Sequence, residues 1–145
     1  MKTLNIDPEL LDGLAEEITE LQKEIKPIVD GMRENTNQPK GFEKFGQIID
    51  RLYGTAATLG FEEIANYCRA MKAICYQCSQ SDSEKGQRKV FDLMDNAVGY
   101  FEKLVASIHN PEEVKKVRYS LHVDQGKIDI LQKGIFRSID RQSVA

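Results

Sequence analysis

No apolar run in this chain of 145 residues approaches the ~20 residues that a membrane-spanning helix needs. The opening Met1-Lys2-Thr3-Leu4-Asn5-Ile6-Asp7 lacks the apolar stretch of a signal peptide, so a cytoplasmic location and no membrane partner are expected. Three cysteines, Cys68, Cys75 and Cys78, are an odd number and too few to build a disulfide scaffold. Basic clusters are missing too. No run of adjacent bases exceeds two residues, as at Lys115-Lys116, and the formal net charge is -3, so nucleic acid is not expected as a partner. The sequence has no G-x-S-x-G, P-loop, dinucleotide fingerprint or H-E-x-x-H, and no internal repeat. The expectation is a non-enzyme that uses no cofactor and no metal.

What is present is an ordinary globular composition, 41% hydrophobic and 30% charged, at a length that suits one buried core. Asp7-Pro8-Glu9 reads as a helix start, with a capping acid, proline in the first turn and an acid facing the helix dipole. Leu10, Leu11, Leu14, Ile18, Leu21 and Ile25 come next at helical spacing. Pro27 is expected to kink or end that helix, because it has no N–H for the ladder, with Ile28, Val29 and Met32 available to continue it for a further turn or two. Glu34 to Lys40 reads as a polar linker. A second helix is expected from about Phe42 to Leu59, stopped by Gly60, and a third from about Phe61 to Cys78. A fourth carries a long apolar stripe from Val90 to Ile108, and Asn110-Pro111-Glu112-Glu113 looks like a further helix start. Glu16, Glu17, Glu20 and Glu24 read as solubility charges on a solvent face.

The tail supports two patterns. Val117, Tyr119, Leu121 and Val123 alternate with polar residues, and Asp124-Gln125-Gly126 offers a hairpin loop with Ile128 and Ile130 on the return strand. Val114, Leu121, Ile128 and Ile135 instead recur every seven residues, as in a helix seam. The strict alternation and the turn chemistry make a hairpin the expectation, with the heptad helix as the alternative.

The second helix holds the informative face. On a wheel of about 100° per residue, Phe45, Ile48, Ile49, Leu52, Ala56 and Leu59 form a core side. Asp50 lies nearly opposite and is expected to point into solvent. Gly46 and Gly54 stand one turn to either side of it, with Ala57 a turn further on and Tyr53 alongside. A glycine inside a helix costs about 1 kcal/mol relative to alanine. Two of them around one side chain would let another protein's backbone come close. The competing explanation is close packing inside the fold, or simple tolerance.

The string Asp50-Arg51-Leu52-Tyr53-Gly54-Thr55-Ala56-Ala57-Thr58-Leu59-Gly60-Phe61 resembles the signature of histidine phosphotransfer domains. That signature is His-x-Leu-Lys-Gly, a run of small residues and Leu-Gly, with a new helix opening directly after. Leu52, Gly54, Ala56, Leu59 and Gly60 match in type and spacing, and Phe61-Glu62-Glu63-Ile64-Ala65 is similar to the family's next helix opening. The resemblance covers roughly Leu10 to Ile108. It implies a mainly α fold built as an antiparallel four-helix bundle over residues 1–110. Residues 111–145 would be a C-terminal extension beyond it.

Asp50 stands where the phosphorylated histidine belongs, and Tyr53 where a phosphoryl-holding lysine or arginine is usual. An imidazole can attack a phosphoaspartate and return the group, whereas a carboxylate without cationic help or Mg²⁺ is not equipped to. The resemblance therefore implies a non-catalytic adaptor. It would dock the receiver domain of a response regulator, or a histidine kinase, through Gly46, Asp50, Tyr53, Gly54 and Ala57. Asp50 would be either a mimic of phosphohistidine or a plain solvated acid. The alternative is a homodimer joined through the tail after Pro111, with no receiver partner.

Two smaller features point to structure rather than chemistry. Cys75-Tyr76-Gln77-Cys78 falls late in its helix, where the dipole does not favour a thiolate, so buried apolar cysteines are expected. His109 closes the fourth helix, where a capping role suits the dipole, and His122 lies in a context unlike the phosphotransfer signature.

Overall fold

The computed structural model describes residues 6–140, and every regular element in that span is helical. The elements are α1 (Pro8–Met32), α2 (Pro39–Asp50), α3 (Tyr53–Thr58), α4 (Glu62–Ser79), α5 (Glu84–Ala106) and α6 (Pro111–Lys133). Counting α2 and the six-residue α3 as one interrupted arm gives a bundle of five helices with no sheet among the described residues.

The helix boundaries arise from local chemistry. The Asp7 side chain accepts from the Glu9 N–H at 2.9 Å, with Pro8 in the first turn. Ser83 accepts from Gly86 N–H and Asn110 from Glu113 N–H, capping α5 and α6. Gly60 takes φ 83°, the left-handed conformation that glycine adopts without a Cβ penalty. The N–H of Phe61 then bonds back to the Ala56 carbonyl at 2.9 Å, which closes the stop expected at Gly60.

Two expectations are corrected. Pro27 does not end α1, which runs on through Ile28 and Val29 to Met32. Pro27 lies on the exposed side, where water can take the carbonyl left without a partner, while Ile25, Val29 and Met32 continue the buried stripe. The tail is not a hairpin. Residues 111–133 form one helix whose inner seam is Val114, Val117, Leu121, Asp124, Ile128 and Leu131. These alternate three and four residues apart, so one helix face buries five apolar side chains against α4 and α5. The alternating residues Tyr119, Val123 and Ile130 are left outside.

Successive arms run up and down. Contacts between Asp12 and His109 and between Arg33 and Asp95 set α1 antiparallel to α5. The approach of Gly46 to Cys75 and of Asp50 to Arg69 sets α2 antiparallel to α4. Glu63–Arg118 and Gln77–Gln132 set α6 parallel to α4. All arms share one core, with Tyr67, Phe42, Phe45, Phe101 and Phe136 among its largest fully buried side chains. Phe136 reaches that core because the chain folds back after Gly134, and the Gln77 side chain donates to the Ile139 carbonyl at 2.7 Å. The Phe136 ring fills the space over Gly86, where an added Cβ would meet its Cζ at 2.7 Å.

Phe136→Ala should therefore destabilise the whole bundle by about 3–5 kcal/mol, the usual cost of emptying a buried aromatic site. Urea denaturation monitored by circular dichroism measures this. A loss under about 1 kcal/mol would mean that the segment after α6 contributes little to the core.

Candidate functional site

Asp50 is the last residue of α2, and the turn after it directs its side chain. The N–H groups of Arg51 and Leu52 bond three residues back, to Ile48 and Ile49, rather than four. This tight turn has the geometry of a 3₁₀-helix and over-rotates the chain before α3 resumes at Tyr53. A single wheel drawn through Leu59 loses its phase there.

Asp50 consequently does not project freely. Its side chain is only 19% exposed and lies against α4, with Oδ1 3.3 Å from Arg69 Nε and Oδ2 3.4 Å from Lys72 Nζ. The Arg69 guanidinium also covers the Tyr53 ring, 3.8 Å from its centroid, a cation–π contact. Asp50, Tyr53, Arg69 and Lys72 thus form one cluster across α2, α3 and α4. The two cations were not legible from the α2 string because they come from another helix. The spacing of Arg69 and Lys72 on one face of α4 is the signal that could have found them.

The two glycines separate into different roles. Gly46 is buried, and a Cβ there would stand 2.9 Å from Cys75 Cβ and 3.1 Å from Lys72 Cα. It is the point of closest approach between α2 and α4, and does not lie on an exposed face as the wheel placed it. Gly54 is exposed, with nothing within 4 Å of an added Cβ. Ala57 is exposed as well and Tyr53 is partly buried. Beside them, Gly54, Thr58 and Leu59 face Leu10 and Gly13 of α1 across an open groove. Leu10 is 53% exposed there. Arg51, on the same side, is ion-paired with Glu24 of α1.

The chain matches no protein-family model, no curated protein and no solved structure.

Elsewhere, Cys68, Cys75 and Cys78 are free and buried, as expected. Burial raises all three thiols above their ordinary value, Cys78 to about 12. Among the described residues no three His, Cys, Asp or Glu side chains gather as a metal site would require. His109 Nε2 lies 2.6 Å from Asp12 Oδ1, joining the α5–α6 connection to α1, and His122 is exposed on α6. No helix of the described residues is long and apolar enough to cross a membrane.

A second polar cluster was not foreseen. Asp124 sits on the buried seam of α6, 1% exposed, and accepts from Tyr100 Oη at 3.1 Å and Asn96 Nδ2 at 3.2 Å. Lys127 approaches its other oxygen at 3.4 Å. Tyr67 is fully buried, and its hydroxyl is raised well above the ordinary tyrosine range, by burial first and then by the charge of Asp124. Tyr100 is raised to about 12 by burial and by the same carboxylate.

The open and covered glycines should respond differently to a methyl group. Gly46→Ala should cost about 1–3 kcal/mol through overpacking of α2 on α4. Gly54→Ala should be neutral, or stabilising by up to about 1 kcal/mol, since nothing blocks a methyl group there. Thermal or urea unfolding of the pair checks this, and equal effects would contradict the assignment. Stability should also depend on pH. The buried thiols and tyrosines hold their protons in the fold but release them near pH 9 to 10 when unfolded. Above about pH 9 the native state therefore binds more protons than the unfolded chain, and stability falls as pH rises. Urea midpoints at about pH 7 and about pH 10 should show that decline, while a midpoint that rises would reverse the sign. In the native protein at neutral pH the three thiols should also resist alkylation until denaturant is added.

Proposed function

We propose that the protein is a non-catalytic adaptor of a two-component phosphorelay, a pseudo-phosphotransfer bundle. It docks the receiver domain of a response regulator, or a sensor histidine kinase, without carrying phosphate. The resemblance of the Asp50–Phe61 string is one support. The observation that carries the proposal further is the engagement of Asp50 by Arg69 and Lys72 of α4. Where the family presents a transferable imidazole, this chain presents a carboxylate already held by two cations. The cationic help that the α2 string lacks is thus supplied by α4, but it neutralises the Asp50 carboxylate, and no imidazole nitrogen stands there to take up a phosphoryl group and return it.

The surface left for a partner lies beside that cluster. Gly54 and Ala57 are open on α3, and the groove toward Leu10 and Gly13 offers apolar contact flanked by Arg51 and Glu17. Tyr53, held flat under Arg69, adds rigid amphipathic area. Gly46 drops out of the docking set, because α4 covers it.

Calorimetric titration against a panel of receiver and kinase domains tests the proposal. At least one should bind, and Gly54→Arg should weaken that complex about tenfold or more, roughly 1.4 kcal/mol, without changing the melting temperature. Gly54 is the cleaner position to change than Asp50, since Asp50→Arg would bring three cations together and unsettle the fold. Incubation with a phosphorylated receiver should leave the chain unlabelled. Failure of every domain to bind, or transfer of label to the chain, would overturn the adaptor assignment.

A further inference from the structure

The inner seam of α6 is matched by a second stripe on its opposite side. Tyr119, Val123, Gly126 and Ile130 are spaced four, three and four residues apart, the a/d rhythm that keeps one face of a helix toward a partner helix. All four are exposed: Tyr119 68%, Val123 40%, Ile130 71%, and Gly126 with nothing within 4 Å of an added Cβ. Tyr119 and Ile130 are the most exposed large hydrophobic residues among those described. Next to Ile130 the stripe opens into a groove of about 300 Å³ between α5 and α6, floored by Leu93 and Leu131 and rimmed by Lys89, Asp92 and Lys127.

We infer that this face is a self-association surface on which a second copy of the chain docks, α6 against α6 in antiparallel orientation. The stripe is symmetric about the midpoint between Asp124 and Gln125. A two-fold axis there sets Tyr119 against the partner's Ile130 and Val123 against the partner's Gly126. Val123 thus meets a glycine, Tyr119 packs on the partner's Ile130 at the edge of its groove, and the symmetry repeats both contacts, as in an isologous interface. The tyrosine ring enters the groove beside Ile130, where Asn96 and Lys127 stand ready for its hydroxyl. Gly126 lets the two helix backbones approach where they cross.

The flanking charges fit the same arrangement. On the g positions, His122 comes beside the partner's Asp129, and the symmetry repeats the pair on the other side. Lys116 and Lys133 also face each other, but Glu113 and Asp129 of their own helix engage them, at 2.9 Å in both cases, and their side chains are at least 74% exposed. The apolar seam from Tyr119 to Ile130 is only about 16 Å long at 1.5 Å per residue. Self-association over so short a seam is accordingly concentration-dependent rather than obligate. This contact is independent of the receiver surface on α1 and α3, so either can fail without the other.

Analytical ultracentrifugation of the full chain, from low micromolar to near-millimolar concentration, tests it. The weight-average mass should rise toward that of a dimer. Ile130→Asp and Tyr119→Asp, both on exposed sites, should hold the protein at monomer mass with unaltered thermal unfolding. Asp129→Lys should weaken association about fivefold, and adding His122→Asp should restore most of it, since the reversed pair is again complementary. The inference is overturned if the wild-type chain stays monomeric throughout, which would leave the stripe to a different protein. It is equally overturned if the dimer persists in both aspartate variants, or if the charge reversal gives no rescue.

Discussion

The approach of α2 to α4 at Gly46 sets the geometry of the candidate site. A side chain there would collide with Cys75 Cβ and the Lys72 backbone, so the absence of one fixes how near the two helices lie. Asp50 is one turn further along α2, and because α4 runs the other way, Arg69 and Lys72 arrive opposite it. The tight turn at Arg51–Leu52 comes directly after and starts α3 in a new phase, which leaves Gly54 and Ala57 outside and Ala56 inside. One missing methyl group thus decides the partner of the acid and, with the turn, which small residues stay open to a visitor.

Buried polar side chains tie the arms together in one alignment. Gln22 of α1 donates to the Val98 carbonyl on α5. Gln77 of α4 links to Gln132 and to the Ile139 carbonyl beyond α6. Asp124 is the most demanding case, since a carboxylate in a core is costly unless its partners are all in place. Only one register of α6 places Asn96 and Tyr100 on it, and sliding the helix by a turn would leave it unpaired among apolar groups. An otherwise permissive apolar seam gains a single setting in this way, much as a polar residue at a core position does in a coiled coil.

The same α6 explains why its sequence pattern misled. Its two faces carry interleaved apolar residues, an inner set meeting α4 and α5 and an outer set that the other described residues leave exposed. Read together, they imitate the two-residue alternation of a strand through Val117, Tyr119, Leu121 and Val123. Asp124 then resembles a turn residue, although it is buried. Periodicity separates helix from strand when one face is apolar, and loses that power when two are. That Pro27 does not end α1 has a related reason: the cost of its missing N–H depends on whether its surroundings are wet, and the pattern of α1 does not say how water reaches that face.

The chain by itself determined what depends on neighbours a few residues away. Asp7-Pro8, Asn110-Pro111 and the left-handed Gly60 fixed helix ends through capping bonds and backbone sterics that act within one turn. The α1 and α5 stripes fixed which faces go inward. Tertiary structure alone decided that Gly46 is covered while Gly54 is open, that Asp50 meets two cations, and that an acid sits in the core. A helical wheel gives the direction of a side chain about its own axis. Which helix lies in that direction, and how near, is set by packing between segments far apart in sequence.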